Sequence, residues 1–270
     1  FAEFNAIDGQ ALTPSDFGEY NATTGVWQPV AYSGSYGTNG FYLPMKLDNT
    51  TEGFNTVTYI GTGSKQKISG VGFSPDLIWF KNRTGANNHA LYDSVRGRAL
   101  SLISNATNSD ITSSAENELV SFDNDGFTVG GVQNHTSVNG SGQSLVAWCW
   151  DAGSSTVSNT DGSITSSVRA NPAYGFSIVT ASASGTSPVT VGHGLGVAPS
   201  LIIGKVRDVA STNWYMYSSS IAASDYLVLN STAAKATSSN IWDTAPTSTV
   251  FTVGNPQNGW AGGNSGTKAY

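Results

Sequence analysis

Few residues in this 270-residue chain can do acid–base chemistry. It holds 18 Asp+Glu, 12 Lys+Arg and 3 His. A glycoside hydrolase needs two carboxyl groups roughly 5–10 Å apart across the scissile bond. The residues able to supply such a pair are Asp93, Asp123, Asp125, Glu116 and Glu118. Glu116 and Glu118 lie in and beside the polar run Ser113–Asn117, which gives no sign of a pocket that would raise one pKa. His89, His135 and His193 are far apart and share no ligand spacing. No nucleophile elbow, zinc-protease or P-loop pattern occurs. No catalytic residue, metal site or cofactor is therefore assigned. Asp123-Asn124-Asp125-Gly126 has the opening of a calcium loop, but no bidentate Glu follows at the right distance. A hairpin turn is the expected reading.

Composition narrows the classes further. Charged residues are 11% of the chain, against roughly 25% in ordinary soluble domains. Ser, Thr, Asn and Gly together make 118 of the 270 residues, so polarity comes from hydroxyls and amides. Net charge is −6 with no basic cluster, which argues against a nucleic-acid partner. No apolar run approaches the ~18 residues of a membrane-spanning helix, so no membrane insertion is expected. Aromatics are 11%, enough to build a core that disordered chains lack. The single Cys149 excludes an internal disulfide.

The elements that must carry these residues are short and β-rich. Leu77–Phe80, Gly126–Gly130, Ser144–Trp150, Gly175–Thr180 and Tyr226–Leu229 are apolar stretches bounded by Gly, Asn, Asp, Ser or Pro. That pattern predicts an all-β fold of tandem antiparallel, jelly-roll-like β-sandwiches. One short helix is expected over Thr13–Phe17, with Thr13 as cap and Pro14 in its first position.

An internal repeat organises the chain. Gly70–Arg83 aligns with Gly194–Arg207, and Phe127–Gly130 with Phe251–Gly254, both at an offset of 124. Leu91-Tyr92 meets Met216-Tyr217 at 125. A unit of this length is domain-sized. The expected division is 1–50 as the end of a preceding domain plus connector, 51–153 as repeat one, 154–171 as a Ser/Thr-rich linker, and 172–270 as repeat two. Repeat two is expected to lack its last strand: Val146 pairs with Tyr270, and repeat one goes on to Ala147-Trp148-Cys149-Trp150. Another segment or chain would supply that strand, or the sequence stops short of it.

Residues kept by both repeats are assigned to packing. Lys81/Lys205 and Arg83/Arg207 alternate along a strand and are expected on a solvated face. Aromatics that differ between the repeats are the better ligand candidates. Trp260 stands on a Gly/Asn-rich loop, and Trp214 stands where repeat one has His89. Exposed indoles there could stack on sugar rings.

Two blocks carry a family resemblance. Phe1–Glu19 with Gly34–Leu43 resembles the end of a concanavalin-A-like (laminin-G-like) domain of large virion proteins of tailed, marine-type bacteriophages. Gly72–Arg83, Asn88–Gly97 and Ala147–Trp150 resemble the repeated β domain that follows it there. The resemblance implies a structural protein of the extracellular virion, a tail fibre or similar appendage. It implies other virion proteins as partners and a homo-oligomer, and it carries over no catalytic or binding residue.

The expected function is thus a non-enzymatic structural or adhesive virion component, with host-surface polysaccharide as the contact partner. The alternatives are a polysaccharide depolymerase, which would need the carboxylates above, and a carbohydrate-binding module.

Overall fold

A computed structural model describes residues 4–22, 25–43, 53–182, 188–254 and 268–269. The chain divides into two compact units, Phe1–Asn49 and Thr50–Tyr270. In the first, β1 (Phe4–Ala6) pairs antiparallel with β4 (Phe41–Leu43), and β2 (Gly18–Tyr20) forms a hairpin with β3 (Trp27–Pro29). The helix expected over Thr13–Phe17 is a single 3-10 turn, Pro14–Asp16. The Asp16 carboxylate reaches back to accept from the Thr13 backbone N–H at 2.7 Å and its hydroxyl at 2.9 Å. These bonds satisfy donors at the turn's open end and hold the Asp16 carboxyl below the usual carboxylate range.

Among the described residues, the second unit is all-β apart from one helical turn, α1 (Thr136–Asn139). Its strands in chain order are β5 (Phe54–Ile60), β6 (Gln66–Ser69), β7 (Leu77–Asn82), β8 (Ala90–Asp93), β9 (Leu100–Ile103), β10 (Ile111–Thr112), β11 (Leu119–Asp123), β12 (Gly126–Val129) and β13 (Ser144–Trp150). There follow β14 (Thr156–Asn159), β15 (Ser166–Asn171), β16 (Phe176–Ser182), β17 (Val189–Gly192), β18 (Leu201–Gly204), β19 (Tyr215–Ser218), β20 (Asp225–Val228), β21 (Ala236–Thr237), β22 (Val250–Val253) and β23 (Lys268–Ala269).

The repeat seen in the sequence is a repeat of sheets. In repeat one, an antiparallel sheet runs β10-β9-β8-β7-β13-β5 and a smaller one β11-β12-β6. In repeat two, β18-β19-β20-β21 echoes β7-β8-β9-β10, β17-β22 echoes β6-β12, and β16-β23 echoes β5-β13. Residues 154–171, expected as a linker, form the hairpin β14–β15, whose second strand pairs with β16 from Ser166↔Ala181 to Asn171↔Phe176. Period-2 alternation explains how a Ser/Thr-rich segment does this. Val168 points into protein while its neighbours Ser167 and Arg169 stay accessible.

Strand alternation also sets the cores. Ile78 and Phe80 of β7, Tyr92 of β8, and Ala147 and Cys149 of β13 meet Ile68, Leu119, Phe127 and Val129 from the smaller sheet. Phe80 packs edge-on against Phe127 at 5.3 Å and Tyr92 at 5.9 Å. The opposite face of the same large sheet is equally apolar. Leu77, Trp79, Leu91, Leu102 and Trp150 pack against Phe176, Ile178, Ile203 and Trp214 of repeat two. The two repeats therefore share a core. Beyond it, repeat two has its own, around Val189, Val191, Tyr217, Trp242, Phe251 and Val253.

Asp123-Asn124-Asp125-Gly126 is a hairpin turn, with Asp123 paired to Gly126. Asp125 accepts from the backbone N–H of Gly72 at 2.7 Å and of Gly70 at 3.1 Å. Gly126 has φ +140, and a Cβ there would lie 2.1 Å from the Ile68 carbonyl oxygen. Close approach to β6 thus requires glycine.

Two outcomes are expected. Trp214→Ala should leave a cavity in the shared core and destabilise the second unit by about 3–5 kcal/mol in urea unfolding; a change below 1 kcal/mol would contradict the shared core. Burial pushes the Cys149 thiol up to about 12. In native buffer at pH 8 it should not react with a thiol reagent over hours, and it should react fully once the chain is unfolded.

Candidate functional site

The carboxylates that could serve hydrolysis are each engaged by nearby groups of the chain. Asp93 is fully buried; it accepts from the backbone N–H groups of Val95 and Arg96 and pairs with the Arg96 guanidinium at 2.5 Å. Asp123 accepts from Ser121 and Thr128 hydroxyls, both at 2.7 Å. Glu116 is exposed and lies 3.5 Å from Lys65. Glu118 is fully buried, with a left-handed backbone at φ +57. Its oxygens accept from the Tyr92 hydroxyl at 2.6 Å, the Ser113 hydroxyl, and the backbone N–H groups of Asn134 and His135. Burial, then the adjacent Glu118, pushes the Tyr92 phenol well up. This network fastens the 131–135 loop to the core, and the strained backbone at Glu118 is held by it.

One pairing went unread in the sequence. The Ser101 hydroxyl and His135 Nε2 are 2.9 Å apart. A nucleophile would need exposure and a base oriented through its other ring nitrogen. Ser101 is fully buried, and Glu118 holds the His135 backbone rather than its ring. Burial holds the His135 imidazole below its ordinary pKa. The pair is a satisfied core contact. Among the described residues, no group of three or more His, Cys, Asp or Glu is placed to hold a metal ion.

The two tryptophans proposed for ligand stacking fare differently. Trp260 lies outside the described residues. Trp214 is fully buried, which corrects the expectation of an exposed platform. Its indole N–H donates to the Ile103 carbonyl at 2.8 Å, and its ring fills the core between the repeats. In repeat one Arg83 is exposed as expected and Lys81 is half-buried, whereas in repeat two the expected solvated face is corrected. Lys205 is buried; its ammonium donates to the Thr212 carbonyl and hydroxyl at 2.7 and 3.0 Å and lies 5.9 Å from the centre of a Trp214 ring. Arg207 pairs with Asp110 at 2.8 Å, and Asp110 also takes Arg96 at 3.0 Å. Asp76 receives Arg169 at 2.7 Å. Of these, Arg207–Asp110 crosses between the repeats, Arg169–Asp76 ties the β14–β15 hairpin to repeat one, and Arg96–Asp110 lies within repeat one.

What does open is a groove of about 500 Å³ within the second unit. Its long walls are Gly175–Val179, in and before β16, and Pro199–Ile203, leading into β18. Trp79 and Trp150 of repeat one, with Trp214, His193, Leu195 and Phe251, also line it. Trp150 stacks on Phe176 with centroids 5.9 Å apart and planes at 21°. The lining is mostly apolar. A legible signal for it existed: Leu77-Ile78-Trp79-Phe80 is apolar at four consecutive positions, the mark of a strand buried on both faces.

These features define a tandem all-β protein with an apolar groove beside its inter-repeat core. The chain belongs to the family described as domain of unknown function DUF7483, whose model matches residues 49–270. Comparison with curated proteins and with solved structures returns no match.

Burial lowers the Lys205 ammonium pKa to about 8 from 10.5, with Asp110 opposing the shift. Between these values the unfolded chain binds more protons than the folded one, so stability rises with pH. We expect the urea stability of the native chain relative to Lys205→Met to climb from pH 8 to pH 10, the comparison cancelling the opposite trend that the raised Cys149 and Tyr92 give both proteins. An unchanged slope in the variant would contradict the buried placement.

Proposed function

We propose that the chain is a non-enzymatic structural or adhesive component of a bacteriophage virion, of the tail-fibre kind, built from tandem jelly-roll-like β-sandwiches. The observation that carries this reading is the shared core: two β repeats packed face to face make one thick, continuous unit, as a load-transmitting shaft or knob requires. The low charge supports it, since such a surface depends little on ion pairs that salt would screen. Other virion proteins and further copies of the same chain are the partners in this reading, in an extracellular particle. Host-surface polysaccharide is the ligand, met by Asn-, Ser- and Gly-rich loops and strengthened by avidity on an oligomer. The engaged carboxylates favour adhesion over hydrolysis: Asp93 and Glu118 are buried among their own partners, and Glu116 is solvated.

A glycan array of bacterial surface polysaccharides, read alongside a reducing-end assay, tests this. Binding without release of reducing ends is expected, weakened several-fold by Trp260→Ala. Release of reducing ends, abolished by substituting one of the carboxylates, would overturn the proposal in favour of a depolymerase.

A further inference from the structure

The two repeats hold one equivalent turn by different groups. Gly70-Val71-Gly72 follows β6 in repeat one, and Gly194-Leu195-Gly196 follows β17 in repeat two, at the offset of 124. All four glycines have left-handed φ, from +70 to +89. In repeat one the Asp125 carboxylate accepts from the Gly70 and Gly72 N–H groups, and the Asp125 carbonyl accepts from Val71 N–H at 3.4 Å. Repeat two has Thr249 at that place and so no carboxylate. Its middle amide, Leu195 N–H, donates instead to His193 Nδ1 at 3.2 Å. His193 is 2% exposed, and its Nε2 lies 3.2 Å from the Thr247 carbonyl. These contacts admit one protonation state. Nδ1 must carry a lone pair, because an N–H faces it; Nε2 must carry the hydrogen, because a carbonyl faces it.

We propose that His193 is an acid-sensitive latch on repeat two: a proton added at Nδ1 breaks the bond from Leu195 N–H and frees the 193–196 turn, while the equivalent turn of repeat one stays closed. A protonated ring points an N–H at the Leu195 N–H and leaves that buried amide without an acceptor. The bond that holds Val71 ends on a backbone carbonyl, which takes up no proton in this range. The surroundings let the closed ring stay neutral. Burial holds the His193 imidazole below its ordinary 6.5, with the Thr247 carbonyl and Asp161 acting the other way. Asp161 stands in the β14–β15 turn, where it accepts from the Asn159 amide at 2.9 Å. Arg169 of β15 is committed to Asp76 at 2.7 Å. The strands β17, β18 and β22 and the segments 194–200 and 244–249 carry no charged residue. Once the turn opens, the ring meets water and takes up a proton more readily than when closed. Acid therefore favours opening from about pH 6.5 downward. The Asp125 carboxyl is held below its usual 3.8 by the Gly72 and Gly70 N–H groups, so repeat one's turn yields only below about pH 4. This inference stands apart from the virion reading.

The test is NMR of the 270-residue chain between pH 7.5 and pH 5. Long-range proton–nitrogen spectra should show His193 at pH 7.5 with its hydrogen on Nε2. The exchange protection factor of the Leu195 amide, corrected for intrinsic exchange at each pH, should fall at least fivefold by pH 5. The ceiling is about thirtyfold, from 1.5 pH units below the open ring's value. Protection at Val71 should change less than twofold. His193→Asn places Oδ1 where Nδ1 stood and does not titrate, so it should abolish the fall at Leu195. His89→Asn should leave the fall unchanged. Should His193→Asn not fold, the native chain alone still decides: ring titration and Leu195 protection should share one midpoint. Any of four results would overturn the proposal: a hydrogen on Nδ1 at pH 7.5, constant protection at Leu195 down to pH 5, an equal fall at Val71, or a fall that persists in His193→Asn.

Discussion

Everything in the second unit depends on burying one continuous apolar layer between two sheets. Trp214 is its keystone. An indole can leave water only if its N–H finds an acceptor, and the Ile103 carbonyl supplies one from the other repeat. With that bond made, Trp214 can sit among Leu77, Leu91, Leu102, Ala152 and Ile178. At roughly 25 cal/mol per Å² of apolar surface, these six buried side chains stabilise the pairing of repeats by several kcal/mol.

That layer also decides which charges are buried. Asp110 stands between Arg96 and Arg207, its backbone N–H donating to the Arg207 carbonyl at 2.5 Å. Asp76 accepts from Ser94 and the Ala152 N–H and pairs with Arg169. In a chain with so few ions, several sit around this interface rather than dispersed on the surface. Buried pairs seldom add much net stability, but removing one member leaves a charge without its partner. They therefore fix which face meets which. Elsewhere, amides do the same work. Asn139 donates to the Ser64 and Gly130 carbonyls and accepts from Thr62 N–H and Gln66, tying α1 to the strand ends around it.

Much of this was legible in the residues. The 124-residue offset identifies equivalent strands, and the hairpin turn expected at Asp123–Gly126 is present. The pairing of Leu91/Met216 and Tyr92/Tyr217 places them on matching strands β8 and β19. What alternation could not show is what lies across from a face. Trp214 and Lys205 were read as outward because each repeat was read alone, and the second face of one sheet is covered only by the other. The β14–β15 hairpin was hidden for a different reason. Its side chains are mostly Ser, Thr and Asn, and backbone pairing with β16 leaves little trace in composition.

The account stands or falls on whether the two repeats form one cooperative unit. Native-state hydrogen exchange of the whole chain in rising urea measures this directly. The amides of β8 and β19 should reach a common opening free energy with a common urea slope, because neither sheet keeps its inner face covered without the other. If β19 opens at lower urea with a smaller slope while β8 stays protected, the repeats are independent domains and the shared core does not hold them together.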